Sequence, residues 1–344
     1  MSAARRRRKK KGVSRARRLA LFGCLALLAV YLVFAAVAVW FVHKPAAWRA
    51  ACGESLPGFL VSSLYWAGNG PADVLDGLGL TGHDVVYEYD EEAPHGKVLF
   101  AGAPRRVGDV QPDDITVLDR GEFVVGWSPS LRRPVWCAYH VVPKPVNDVG
   151  ERPAFQRDKT AANAPSPSAY DRSGYDRGHM VPNFAIVTRY GAAAQKKTFL
   201  TSNISPQSPA LNRGVWRDFE HRIASLWTAR YGEMWVVVGS VPSKSREKIG
   251  DAGIDVPDQY FQLVVAQEGL DVRALAVLLD QSADRREWAA RHIVTIDELE
   301  ERTGLDFLPD LPAFIQDPLE AELPTRLWPV RLADIFNLLA LYFR

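Results

Sequence analysis

Twenty-four consecutive residues, Leu19 to Val42, carry no charge and are rich in Leu, Ala, Val and Phe. Inside a bilayer such a segment can satisfy its backbone only as a helix. That helix would be about 36 Å long, enough to cross a hydrocarbon core of about 30 Å with some tilt. Trp40 sits near the far end, where an indole commonly marks the interface. Ala36-Val37-Ala38 would suit a signal-peptide cleavage site. Signal peptides, however, have apolar regions of about 7–15 residues, and this run is longer. Residues 19–42 are therefore expected to form a transmembrane anchor in contact with the lipid bilayer.

The charge around the span orients it. Residues 1–18 hold ten of the 42 basic side chains and none of the 40 acidic ones. Only Lys44 and Arg49 follow the span closely. The positive-inside bias puts residues 1–18 in the cytoplasm as a basic tail and everything after about residue 43 on the extracytoplasmic, periplasmic or outer side. The remaining 32 basic and 40 acidic residues give positions 19–344 a net charge of −8. A polyanion would have to be held by a local basic cleft or a cation, not by the global field. Arg105, Arg106, Arg132, Arg133, Arg189, Lys196, Lys197 and Arg213 are candidates for such a rim. Of the three cysteines, Cys24 lies in the span, and nothing in the spacing demands that Cys52 and Cys137 pair. No Cys/His spacing fits a zinc site.

Beyond the span, residues 43–95 mix short apolar stretches with Gly and Pro and read as a stalk. Lys97 to Ala101, Phe123 to Trp127 and Val135 to Val142 have the composition of strands. Ser128 to Pro134 is a hairpin connection between the last two. Gly150 to Gly174 is a long polar loop, of a length that often carries function. From Val215 to Tyr231, Trp216, Phe219, Ile223, Leu226 and Trp227 fall on one helical face, and Gly232 stops the helix. Met234 to Val241 reads as a strand buried on both faces. Phe261 to Ala266 and Val272 to Leu279 form a further strand pair. The class is α+β, with a mostly antiparallel central sheet flanked by helices. Residues 96–310 form the main domain and 311–344 a C-terminal extension, in which Leu332 to Phe343 could be a short amphipathic helix.

The densest chemical signal lies between Gly174 and Glu220. Gly174-Tyr175-Asp176-Arg177-Gly178-His179-Met180 gathers an acid, a guanidinium and an imidazole around a glycine. Thr201-Ser202-Asn203-Ile204-Ser205-Pro206-Gln207 and Leu211-Asn212-Arg213-Gly214-Val215-Trp216 follow, with Glu220 eight residues past Asn212. Taken singly these are weak, since a lone His beside Arg and Asp is more often structural. In this order, and over roughly Phe123 to Asp310, they resemble the DNA/RNA non-specific endonucleases, the ββα-metal or His-Me finger nucleases that are endonuclease G-like.

The resemblance implies a ββα-metal active site and metal-dependent hydrolysis of DNA, RNA or both with little sequence specificity. Neutral imidazole suits the activation of water near neutral pH, and by motif position His179 would be that general base. Magnesium, or manganese, prefers oxygen ligands and keeps most of its waters. The amide oxygen of Asn212 would be the direct protein ligand, and Glu220 would hold metal-bound waters. Arg177 matches an arginine used near the scissile phosphate. Arg152 is the candidate for a second, with Arg157 competing. Asn203 and Gln207 match positions that shape the site, and Asp176 reads mainly as a structural loop carboxylate. Pro182-Asn183-Phe184 stands where relatives often carry smaller residues, which would narrow the groove. Relatives often form homodimers, and an inhibitor protein is unknown.

Two other readings stay open on these residues: a phosphodiesterase of the same fold acting on another substrate, and a membrane-tethered module without turnover. The orientation is checked by adding protease to spheroplasts, where digestion of the domain after residue 95 is expected. Protection of that domain would refute it.

Overall fold

The uninterrupted apolar run at 234–241 lies in the middle of a seven-stranded sheet, covered on both faces. The computed structural model describes residues 95–143, 150–244, 247–268, 271–324 and 326–328, with residues 33 and 37. In chain order the first elements are β1 (Arg105–Arg106), β2 (Thr116–Asp119), β3 (Phe123–Ser128), β4 (Arg133–Val141) and β5 (Asp176–His179). Then come α1 (Asn183–Thr198), β6 (Ile204–Gln207) and a helical run α2 over 209–231. β7 (Met234–Val241), β8 (Lys248–Ile249), β9 (Ile254–Asp255), β10 (Gln259–Glu268) and β11 (Asp271–Asp280) follow. The last are β12 (Ile293–Val294), α3 (Ile296–Thr303), β13 (Leu305–Asp306) and α4 (Ala313–Ala321).

The large sheet has the order β12-β11-β10-β7-β4-β3-β2, antiparallel at every pair. Because side chains alternate across a strand, its central strands feed two cores. Met234, Val236 and Val238 of β7 and Tyr260 and Val264 of β10 join one core. Trp235 and Val237, with Phe261, Leu263 and Val265, join the other. The first core is closed by α2, whose Trp216, Phe219, Ile223, Leu226 and Trp227 are all buried. The second is closed by Ile296 and Leu299 of α3, Ile315 and Leu319 of α4, and residues 98–101. The α+β class and the antiparallel sheet thus match the sequence reading.

Several elements differ from it. Residues 97–101 form a turn instead of a strand. The carbonyl of His95 accepts from the backbone N–H of Val98 and Leu99, both at 2.8 Å, and Ala101 has φ 53°. Their apolarity reflects burial in the second core, where Phe100 meets Trp235 of β7, not pairing. α1 is a helix that the periodicity did not announce, because it breaks at Gly191 (φ 79°) and its middle is small alanines. α3 carries a legible start signal: Thr295 accepts from the backbone N–H of Glu298 at 2.9 Å, and Gly304 ends the helix at φ 64°. β3 and β4 form the expected hairpin, with a register shift between Gly126 and Trp127. Cys137 is a buried free thiol. Among the described residues no helix is long and apolar enough to cross a membrane. The expected span at 19–42, the basic tail, the stalk and the helix at Leu332 to Phe343 lie outside them, apart from residues 33 and 37 of the span and residue 95 at the end of the stalk.

α2 begins earlier than its apolar period suggested, at Pro209, and is not a uniform α-helix. Its bonding widens to π geometry over Asn212–Trp216 and Arg222–Trp227. Gly214 leaves helical angles there (φ −112°, ψ −122°). A β-carbon on it would meet the Arg285 backbone at 2.6 Å, so the loop after β11 docks against a position that only glycine can fill. Gly214→Ala is expected to cost about 1–3 kcal/mol of stability, read as a lower thermal midpoint. An unchanged midpoint would mean that the loop near Arg285 is not packed in this way.

Candidate active site

β5 and β6 form their own antiparallel pair, with Gly178 opposite Ser205 and His179 opposite Ile204. α2 starts directly after β6, so the three motif strings become strand, strand and helix around one cleft. The pair is tied to the large sheet through Tyr260 of β10. Its hydroxyl donates to the Pro206 carbonyl at 2.5 Å and accepts from the Ser205 hydroxyl at 2.9 Å. Gly178 is glycine because the buried Gln207 side chain lies against it, and a β-carbon would sit 2.2 Å from Gln207 Oε1. Asn203 is wholly buried and fixes the chain leaving His179. Its Oδ1 accepts from Val181 N–H at 2.9 Å, and its Nδ2 donates to the carbonyls of Val181 and Thr198, both at 3.0 Å.

Arg152, Arg177, His179, Asn212 and Glu220 all line a single cleft of about 510 Å³. Phe155, Asp176, Asn183, Phe184, Arg213 and Arg217 complete most of its wall, and Arg157 does not contribute. The His179 ring is held between Phe155 (centroids 5.3 Å apart) and Phe199 (4.8 Å, edge-on). Its Nε2 is sealed from solvent without a hydrogen-bond partner. Desolvation, helped by the charge of Arg152, lowers its pKa to about 3, so the imidazole is neutral at physiological pH.

Desolvation acts in the opposite direction on the carboxyl of Glu220, raising its pKa to about 8. The Trp216 indole and the Arg217 charge offset this only in part. The indole N–H stops short of hydrogen-bond geometry, and Glu220 Oε1 is buried with no partner. On the same helix, Asn212 Nδ2 donates to Asp176 Oδ2 at 2.8 Å, leaving its amide oxygen as the group free to act as a ligand. Arg213 donates to both oxygens of Asp176, at 2.8 and 2.6 Å. Burial opposes ionisation of Asp176, but the bonds from Arg213 and Asn212 prevail and hold its pKa low. Asp176 is thus the brace between β5 and α2 and not merely a loop carboxylate. Its place in the motif beside Arg177 was the only sequence hint.

The basic groups differ from the rim expected from sequence. Arg133 is buried against Asp255 at 2.6 Å, and Arg189 is buried with bonds to the Val142 and Ala224 carbonyls. Lys197 pairs with Glu122, Arg105 with Asp310 and Arg106 with Asp109. Of that set only Arg213 reaches the cleft, which instead draws its charge from Arg152, Arg177, Arg213 and Arg217. Arg177 is anchored by the Pro167 carbonyl at 2.9 Å and by Asp171, with its guanidinium 5.5 Å from the Phe155 ring centre. The Arg152 guanidinium lies 5.3 Å from the Phe199 ring centre. A larger groove of about 970 Å³ lies beyond Tyr175 and mixes Lys244 and Arg302 with Glu247, Asp258, Asp280 and Glu301. It holds no imidazole and no net positive lining.

The state of His179 can be measured. A histidine titration by NMR should find this ring still neutral at pH 5, and a midpoint near 6.5 would contradict the buried setting. The sign of the linked stability follows. The unfolded imidazole protonates near pH 6.5 and the folded one at about 3. The unfolded chain therefore binds more protons between those values, and stability is lost as pH falls through that window.

A family model described as DNA/RNA non-specific endonuclease matches residues 102–314. A nuclease of Nostoc sp. is 29% identical over 226 residues, covering 61% of this chain and 79% of its own length. Human mitochondrial endonuclease G is 28% identical over 211 residues, 56% of this chain and 70% of its own. The mitochondrial nuclease of Saccharomyces cerevisiae is 28% identical over 236 residues, 61% and 69%. The crystal structure of the EndoG/EndoGI complex shares the fold at a TM-score of 0.50 and 21% identity, covering 60% of this chain and 89% of that one. Since the family match takes in more than half of its residues, the chain belongs to the DNA/RNA non-specific endonucleases.

Proposed function

We propose that the chain is a membrane-anchored, magnesium-dependent endonuclease that hydrolyses phosphodiester bonds in DNA or RNA. The observation that carries this reading is the convergence of His179, Asn212 and Glu220, from separate motif strings, on one cleft ringed by four guanidinium groups. The donors suit a hard cation: an amide oxygen and the carboxyl of Glu220, whose ionised form a nearby cation would favour, with no thiolate in the lining. The unpartnered Glu220 Oε1 is the kind of buried acceptor that water on such an ion would satisfy. Asn212 would hold magnesium, or manganese, with Glu220 on its waters. When bound, the ion would polarise the phosphate and stabilise the leaving 3′-oxygen.

The chain's own groups do the rest. Neutral His179 accepts the proton of the attacking water, and a bound phosphate's negative charge would raise its pKa from that low value. Arg177 and Arg152 orient the phosphate and stabilise charge that develops on its oxygens. Asp176 keeps the Asn212 amide turned so that its oxygen is the available ligand. The net charge of −8 over residues 19–344 gives a polyanion no long-range attraction, the one observation on the side of a same-fold phosphodiesterase acting on a non-nucleic-acid substrate. The clustered arginines offset it locally, because field falls off within about 8–10 Å in salt. Residues 19–42 hold the enzyme in the bilayer, with residues 1–18 in the cytoplasm and the cleft outside.

Plasmid DNA and structured RNA incubated with the full-length chain in detergent should be degraded only with magnesium present. His179→Ala should slow this by about 10²–10⁴-fold. Asn212→Ala should raise the magnesium needed, whereas Arg177→Ala should lower turnover with metal affinity little changed. Intact nucleic acid under every condition would sink the reading.

A further inference from the structure

Phe184 is unlike the other apolar residues of the cleft. It lines the same wall as His179, Asn212 and Glu220, yet it is 48% exposed. Its backbone is well held at the start of α1: its carbonyl accepts from Thr188 Oγ1 at 2.6 Å, and the next two residues, Ala185 and Ile186, are buried. Its ring contact among the described residues is with His221, tilted by 40° at 6.4 Å between centroids. Phe155 offers a contrast. That ring is spent on packing, between His179, Phe199 and the Arg177 guanidinium. The cleft therefore presents an open aromatic ring, carried on a held backbone, beside its four arginines.

We propose that Phe184 is a base-stacking platform that makes the enzyme favour nucleic acid whose base next to the scissile phosphate is unpaired. The proposal rests on the reading of the cleft as a nuclease site. Guanidinium groups hold phosphate but carry no information about the base. An aromatic face adds binding that tolerates any sequence, because every base has a π-face. In a duplex each base is already stacked and paired, and the ring gains a base only after that is undone. Single strands and loops offer the base without this cost. The substrate class follows: unpaired nucleotides of either sugar, chosen by stacking and not by base identity.

The test uses the full-length chain in detergent with magnesium and two single strands of equal length, one with ordinary bases and one built of abasic tetrahydrofuran units. Wild type should prefer the base-bearing strand in kcat/KM. Phe184→Ala should shrink that preference by about tenfold, mainly through KM, and Phe184→Trp should keep it. A thermal midpoint for each variant confirms that it is folded. If wild type cleaves both strands and Phe184→Ala leaves their ratio unchanged, the platform is wrong while the nuclease reading stands. If wild type cleaves neither, the nuclease reading fails and takes the platform with it.

Discussion

The seven-stranded sheet is apolar on both faces, so each face has to be closed by helices, and the closure of one of them builds the site. α2 buries Trp216, Phe219, Ile223, Leu226 and Trp227 against that face. Trp216 meets Tyr260 of the sheet edge-on at 5.7 Å, and Phe219 meets Trp227 at 5.3 Å. Packing of this density fixes the rotation of the helix about its axis. Once it is fixed, Asn212 and Glu220 have little choice but to face the cleft. Tyr260 also bonds to β6, so the same strand that seats the helix seats the β5–β6 pair that carries His179.

A small number of polar ties then set the fine geometry. Asp176 joins β5 to α2 through Asn212 and Arg213. Asn203 clamps the chain on the far side of His179. Gln207 fills the space that Gly178 leaves open. The Asp176 and Asn203 ties are satisfied inside the protein, whereas His179 Nε2 and Glu220 Oε1 are buried without partners. Buried groups left unpaired are costly, and these two both line the cleft. Burial also decides their charge, since the same desolvation keeps His179 neutral and opposes the ionised form of Glu220.

Charge operates at two scales. Over positions 19–344 the chain is net negative, which at long range does not attract a polyanion. Close to the cleft, Arg152, Arg177, Arg213 and Arg217 gather in one lining, three of them steadied by carboxylates, while Arg105, Arg133, Arg189 and Lys197 are held in ion pairs or backbone bonds away from it. Counting charges could not separate the two groups. Arg133 and Arg213 look alike in a sequence, yet one is sealed under β9 and the other stands at the mouth of the cleft.

Much was legible before any coordinates. The two-faced apolar run of β7, the hairpin of β3 and β4, the β10 and β11 pair and the buried face of α2 all follow from side-chain period, which is a local property. The motif strings around His179, Asn212 and Glu220, with Arg177 and Arg152, marked the cleft-lining residues, because their order along the chain carried the resemblance. The apolar span at 19–42 also rests on sequence alone, as length and charge are enough to argue it. What escaped was set by contacts distant in sequence. Residues 97–101 have strand composition but turn, since burial in the second core explains their apolarity as well as pairing would. The π turns of α2, the glycine at 214 facing the Arg285 backbone, the brace by Asp176 and the open ring of Phe184 were invisible for the same reason. Period and composition report which residues leave water, but only the tertiary structure decides what each one meets when it does.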